Sequence, residues 1–329
     1  MMANKLGSSL DPMRLSCYGC GCENVYPLRA YRDLPGTIFH NMQLFECEHC
    51  SLCFAWPPPT QEAIEKYYVD SYWQERKLNS WARCAREHWQ QIDHARAQLS
   101  FIAESFPDLC FEGILDIGAG FGEFLDEAQR LGGRNLCAVE VSDDSAKILQ
   151  SHGFAVIRKI WGGPETTALV LHELPIVRLI RASHVLEHTA TPRDFLRCVA
   201  SILDKDGVFM CEVPHDSRET LLLPIKNRPR DAPHLLFFSE SSLRRLLEMS
   251  DLKVVASGIF GNPDENRDDQ PSASLSMIKK LLPAPIVRLT AGVRAIMHHT
   301  MQTLDWSKSS SWHRNPKGSW LRMIAVKKR

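Results

Sequence analysis

No stretch of 18 apolar residues occurs in the 329-residue chain, so a membrane-crossing helix is not expected. Charge of one sign is not in excess either. The chain has 39 Lys and Arg against 39 Asp and Glu, and nothing global draws it to nucleic acid or to an anionic membrane. The first ten residues, Met1 to Leu10, lack the basic and apolar run of a secretory signal, and the expectation is a cytoplasmic protein. Two nucleotide signatures are missing as well. The third glycine of a dinucleotide fingerprint would fall at Glu123, and the Gly-Lys-Ser/Thr of a phosphate-cradling loop does not occur.

What the sequence does carry begins at residues 113–122, Gly-Ile-Leu-Asp-Ile-Gly-Ala-Gly-Phe-Gly. Ile114, Leu115 and Ile117 supply the apolar bulk of a buried strand, and Gly118, Gly120 and Gly122 allow a sharp turn and close approach to a ligand. Phe124, Leu125, Ala128 and Leu131 then recur at helical spacing. A second apolar run ends in Glu140, 18 residues after Gly122. That is near the roughly 20-residue offset at which doubly wound folds place an acid against a ribose.

The pattern Asp-x-Gly-x-Gly-x-Gly, with Asp116 as its acid, resembles motif I of class I S-adenosylmethionine (SAM) methyltransferases. The resemblance implies a Rossmann-like, seven-stranded α/β sheet and SAM held by Asp116, Gly118, Gly120, Gly122 and Glu140. Alternation of strand and helix supports a parallel sheet covered on both faces. Strands are expected near 113–117, 136–141, 154–158, 177–183, 207–213, 254–259 and 320–326, and helices near 81–106, 122–131, 143–151 and 192–203. Ser239 with Glu240 is expected to cap a further helix carrying Leu243, Leu246 and Leu247. No structure is assigned to Lys159–Leu174, where Trp161 is expected in the core or at the surface rather than on an adenine ring.

Of 11 cysteines, six lie between Cys17 and Cys53. A disulfide framework is not expected in a reducing compartment. Cys17-x2-Cys20 and Cys47-x2-Cys50 have the spacing of two knuckles that place four thiolates around a structural zinc ion, with Cys22 and Cys53 surplus. Metal would supply stability that so small a core lacks. The expected organisation is a tail at 1–13, a zinc-ribbon-like module at 14–56, an aromatic linker at 57–80, a core at 81–261, a loop and helical insertion at 262–318 and a closing strand at 319–329. In the linker, Tyr67, Tyr68, Tyr72 and Trp73 pack the module on the core or form a lid, with Tyr72 as its polar contact. From residue 276 onward Asp305 is the only acid against 11 Lys and Arg, which suits a solvated face, a phosphate-bearing substrate or weak contact with a membrane surface.

The segment His184-Val-Leu-Glu187-His188 resembles one found in many small-molecule methyltransferases, at the carboxyl end of the sheet beside the sulfonium. A similar segment in ubiquinone-pathway O-methyltransferases gathers a divalent cation, which would here involve His184, Glu187 and His188, although that group has an acid where this chain has His184. His234-x-x-x-Phe-Ser resembles a segment of sugar C-methyltransferases, whose glutamate is replaced here by Pro233. Histidine titrates near neutrality. His234 is therefore the candidate base, with His188 to orient the acceptor and His184 beside them, whereas His152 and His172 fall elsewhere.

Together these motifs resemble a zinc-ribbon-bearing methyltransferase of bacterial polysaccharide, sugar or natural-product pathways. The acceptor implied is a small molecule, such as a nucleotide-linked sugar or a cell-surface glycan or lipid precursor. An RNA-base methyltransferase and a non-catalytic SAM-binding module are the alternatives, and zero net charge and the intact glycines speak against them.

Overall fold

Seven strands form the central sheet, in the order β10-β11-β8-β7-β4-β5-β6. The computed structural model describes residues 15–33, 36–71, 81–216, 218–222, 230–261, 314 and 318–328, with backbone alone at 70, 71, 81–87 and 89. The expected tail, Tyr72, Trp73 and nearly all of the 262–318 insertion lie outside these residues.

The sheet is built from β4 (Glu112–Ile117), β5 (Arg134–Val139), β6 (Ala155–Ile157), β7 (Val177–Ser183), β8 (Leu203–Pro214), β10 (Leu252–Phe260) and β11 (Trp320–Lys327). Strands β6, β5, β4, β7 and β8 run parallel, while β11 and β10 close the sheet antiparallel. The order reverses between β4 and β7, the place where open α/β sheets leave a crevice for ligands. The turn after β4 and the segment after β7 both open there.

Alternation along the parallel strands fills two apolar layers. Leu115, Ile117, Val139, Ile180, Ala182, Phe209 and Cys211 face one side. Ile114, Leu136, Ala138, Leu179, Val208 and Met210 face the other, against Leu99 and Ile102 of a long helix (Trp81–Ser105) and Phe124 and Leu125 of the helix after motif I (Glu123–Arg130). Both faces are thus covered, as a parallel sheet requires.

Helix starts follow from local chemistry. Ser142 caps Asp143–Ser151 by accepting from the Ser145 amide, and Pro192 opens Pro192–Ile202. Ser239 caps Glu240–Glu248, but its reciprocal partner is Ser242 rather than Glu240. The Glu240 carboxylate instead accepts from Ser257 and Arg244. The unassigned stretch holds a helix, Gly163–Glu173, started by Gly162, Gly163 and Pro164. Trp161 is buried there, donating to the Phe195 carbonyl at 3.1 Å.

The amino-terminal module has its own sheet, β1 (Val25–Ala30), β2 (Gln43–Cys47) and β3 (Cys53–Trp56). Ile38 and Phe39 lie in a turn, and the third strand comes from the segment beginning at Cys53. β3 then pairs with β9 (Leu236–Phe237), which lies in the connection between β8 and β10 of the central sheet. Leu44, Leu52 and Phe54 of the module share one apolar cluster with Phe209, Leu235 and Leu246. Covering a side chain such as Phe54 is worth about 1.5–3 kcal/mol.

Candidate functional site

The glycines of the turn after β4 differ in what they admit. Gly118 has φ +71°, and a Cβ there would lie 2.5 Å from Val185 Cγ2. The turn therefore touches the segment after β7 directly. Gly120 has φ +57° and nothing within 4 Å of a Cβ position, so open space lies beside it. At Gly122 a Cβ would lie 2.7 Å from Leu149 Cδ2, which makes this glycine a helix-packing position. Of the three, only Gly120 faces room for a ligand.

Glu140 spans the mouth of this turn. Its Oε2 accepts from the Gly120 amide at 2.9 Å and its Oε1 from the Ser142 amide at 2.8 Å. Burial raises its pKa, partly opposed by those amides. Each carboxylate oxygen carries a second lone pair, so the group can accept two hydroxyls while holding the turn. Asp116 is placed differently. It is fully buried, and Arg181 Nη1 donates to both of its oxygens at 2.8 and 3.0 Å. Its carboxylate is spent on that ion pair, at the base of the turn.

Arg181 opens a buried polar chain that sequence reading missed. Its Nε donates to Gln98 Oε1 at 3.0 Å, and Gln98 Nε2 donates to Ser183 Oγ and Glu212 Oε1, each at 3.0 Å. Glu212 is also bound by Arg322 and His94. Burial would raise its carboxyl, but the Arg322 guanidinium, with the hydrogen-bonded rings of His184 and His94, holds it well below the usual range. His94 is carried the other way, down to about 4 by burial. The sequence signal was faint: the charges at 181, 212 and 322 fall inside the apolar runs of their strands.

His184, His188 and His234 come together at the carboxyl edge of the sheet, around Glu187. His184 is a non-glycine residue at φ +55°, a conformation that is uncommon and often functional. Its Nδ1 lies 3.3 Å from Glu187 Oε1 and its Nε2 lies 3.4 Å from Glu212 Oε1. Burial opposes its charge, but the two carboxylates outweigh burial and raise it to about 9. Glu187 is fully buried, and burial alone would raise its carboxyl; the facing imidazoles of His188, His184 and His234 bring it down to about 2. His188 and His234 stack edge to face with centroids 4.9 Å apart, and Tyr68 meets His188 at 5.6 Å. Tyr67 packs on Phe39 of the module at 5.1 Å, so the aromatic stretch joins module and core and also borders the histidines. His152 and His172 pair with Asp126 and Glu173 on exposed helix ends.

The sequence profile of a methyltransferase domain matches residues 74–257, more than half of the chain. The chain belongs to the methyltransferase-domain family. No curated protein sequence matches this methyltransferase.

Solved structures with a similar architecture include 1,6-didemethyltoxoflavin-N1-methyltransferase of Burkholderia thailandensis with bound 1,6-didemethyltoxoflavin and S-adenosylhomocysteine. It is 16% identical with a TM-score of 0.47, over 91% of this chain and 100% of that one. Magnesium protoporphyrin IX methyltransferase of Synechocystis PCC 6803 with bound SAH is 10% identical with a TM-score of 0.45, over 82% and 100%. A SAM-dependent methyltransferase of Archaeoglobus fulgidus is 18% identical with a TM-score of 0.43, over 72% and 94%.

The methyltransferase also carries the four-cysteine cluster. The Sγ atoms of Cys17, Cys20, Cys47 and Cys50 lie within 4.8 Å of one another, with Cys17–Cys50 at 3.5 Å and Cys20–Cys47 at 3.4 Å. Zn–S bonds of 2.3 Å put tetrahedral sulfurs about 3.8 Å apart, so the cluster is compatible with zinc. The Cys50 thiol is held down to about 5, first by the Cys17 thiol and also by the Leu52 amide. Cys22 and Cys53 stand outside the cluster, and burial pushes the Cys53 thiol up to about 12. Among the described residues, no helix is long and apolar enough to cross a membrane.

A polar seam locks this module to the His234 segment. Asp231, fully buried, takes two hydrogen bonds from Arg29 at 2.6 and 2.8 Å and one from the Arg32 amide at 2.8 Å. Ala55 donates to the Leu235 carbonyl at 2.9 Å, and Arg218 pairs with Glu46 at 2.6 Å.

Proposed function

We propose that this methyltransferase transfers the methyl group of SAM to a small-molecule acceptor whose nucleophile must lose a proton, with a nucleotide-linked sugar or a glycan or lipid precursor as the acceptor class. SAM lies along Gly118, Gly120 and Glu140, its ribose hydroxyls on Glu140 and its methionine part in the open space beside Gly120. Gly122 and the Asp116–Arg181 pair hold the turn in shape for it. The acceptor is activated at the group formed by Glu187, His188 and His234. Four thiolates, Cys17, Cys20, Cys47 and Cys50, hold one zinc ion, which is structural because no position is left open for substrate.

One observation carries this reading: Gly118 backs directly onto Val185, between His184 and Glu187. A methyl donor seated on the glycine turn therefore has the histidine group at its side. The donor sulfonium is already activated, so placing the nucleophile in line supplies much of the rate. Incubating the pure chain with labelled SAM and separate pools of sugar nucleotides, lipid-linked glycans and RNA tests it. Label entering a sugar or lipid pool supports the reading, and label entering RNA alone overturns the acceptor class.

A further inference from the structure

We infer that Gln98 is a positioning residue that fixes the spacing between the donor turn and His184. It sits on the helix Trp81–Ser105 with no exposed surface, and its two ends reach opposite sides of the site. Oε1 accepts from Arg181 Nε at 3.0 Å, while Nε2 donates to Glu212 Oε1 and to Ser183 Oγ, each at 3.0 Å. A guanidinium only donates and an ionised carboxylate only accepts, so the amide has a single orientation here.

Beyond each end lies a backbone segment that has to hold its shape. Arg181 Nη1 donates to both oxygens of Asp116, two residues before Gly118. Glu212 holds His184 from the other end: its carbonyl accepts from the His184 amide at 2.9 Å, and its Oε1 lies 3.4 Å from His184 Nε2. His184 is at φ +55°, a conformation that persists only where its surroundings over-determine it. Its Nδ1 in turn faces Glu187 Oε1 at 3.3 Å. A buried line therefore runs from Asp116 through Arg181, Gln98 and Glu212 to His184. The other contact between these segments, Gly118 against Val185, is apolar and sets no orientation.

An amide is needed in the middle because the charges beside it are opposite. Ser183 is the register partner of Glu212 across β7 and β8, and Arg181 lies two residues before Ser183 on the same face. Arg181 and Glu212 are thus diagonal neighbours in a buried layer, where opposite charges attract strongly. Gln98 gives each of them a neutral partner, so Arg181 keeps to Asp116 and Glu212 keeps to His184. Without it, Arg181 Nε loses its acceptor and the two charges can close on each other, which draws Glu212 away from His184.

The catalytic consequence rests on the methyl-transfer reading. Transfer needs the sulfonium and the nucleophile in line, and a displacement of about 1 Å can cost about 10²-fold in rate. Gln98 handles no proton in this account; it acts only through spacing.

Selective ¹³C labelling of histidine in the full-length chain tests the link without an acceptor. His184 meets Trp320 edge to face with ring centroids 5.4 Å apart, so its ring protons carry a ring-current shift that reports its position. Their signal is the one missing in His184→Asn. In Gln98→Met, unbranched and of similar length, that signal should move toward the position of a free histidine. Gln98→Asn, one methylene too short to bridge, should move it the same way. Affinity for S-adenosylhomocysteine, measured on the same samples, should change far less than turnover, because Glu140 still braces the turn, and it reports that the variants are folded. With an acceptor pool that takes label, turnover should fall by about 10²-fold. Ile102→Val, which loosens the same helix at a buried apolar position, should leave the His184 signal in place. An unmoved signal in either folded Gln98 variant, or the same shift in Ile102→Val, overturns the inference. Failure of the parent to bind S-adenosylhomocysteine would instead overturn the methyl-transfer reading, and the His184 shift would still decide whether Gln98 positions that ring.

Discussion

Tyr31, at the edge of the four-cysteine module, donates its phenolic hydrogen to the backbone carbonyl of His234 at 2.9 Å. His234 is thereby held by the module rather than by its own loop alone. Asp231 and β9, on either side of His234 in the chain, are bound to the same module. The module is thus part of the wall of the proposed active site.

Replacing Tyr31 by Phe removes one hydrogen bond and little packing. Stability should fall by about 0.5–1.5 kcal/mol, measured by urea unfolding. Turnover should fall while SAM affinity holds, because the donor turn does not touch Tyr31. Equal losses in both would show that the contact is merely part of the general fold.

Zinc removal should act on the same wall. The protein purified without chelator should carry one zinc ion on Cys17, Cys20, Cys47 and Cys50. Stripping it should expose residues 230–237 to hydrogen exchange before the central sheet opens, since β9 pairs with the module strand β3. An unchanged exchange pattern, or no zinc by metal analysis, would contradict this.

Acid should loosen the seam through Asp231. Burial raises its carboxyl, but Arg29 and Arg32 more than offset that and leave it below its ordinary value of 3.8. As pH falls, the unfolded chain binds this proton before the native one does, so the stabilisation is present above about pH 4 and is lost as pH drops through the depressed native pKa. Asp231→Asn should cost roughly 3–5 kcal/mol at neutral pH, as for a broken buried pair, and should flatten the acid end of the stability profile. Parallel profiles for parent and variant would rule the seam out as an acid-sensitive contact.

Much of this was legible in the sequence because the signals are local. The Asp-x-Gly-x-Gly-x-Gly turn, Glu140, the cysteine spacings and the strand periodicity each lie within a short window, and the observed strands fall close to the expected ones. What was not legible depends on register. Asp116 and Arg181 are direct partners across β4 and β7, as are Glu212 and Arg322 across β8 and β11. Charges in separate strands say nothing of each other until the strands are aligned. The β3–β9 pairing joins segments about 180 residues apart for the same reason. The helix Gly163–Glu173 falls in the stretch left unassigned, and Gly162, Gly163 and Pro164 stand at its start.

The acceptor side should depend on His234 beyond its contribution to the fold. His234→Ala is expected to leave SAM affinity nearly unchanged and to lower turnover by about 10²- to 10⁴-fold, the range for losing a group that handles a proton. Parental turnover across pH 6 to 9 would show that His234 is structural only.

The central claim is that SAM is held by the turn after β4 and by Glu140. Calorimetry of SAM binding to the parent, Gly120→Val and Glu140→Ala tests it most directly. Gly120 is at φ +57° beside open space, so valine both strains the turn and fills the room meant for the ligand. Glu140→Ala removes the group expected to grip the ribose and also the brace on the Gly120 amide. The account predicts binding to the parent and loss of at least about tenfold in each variant, the equivalent of one lost charged hydrogen bond of about 1.5–3 kcal/mol. Parental affinity in both variants would contradict it.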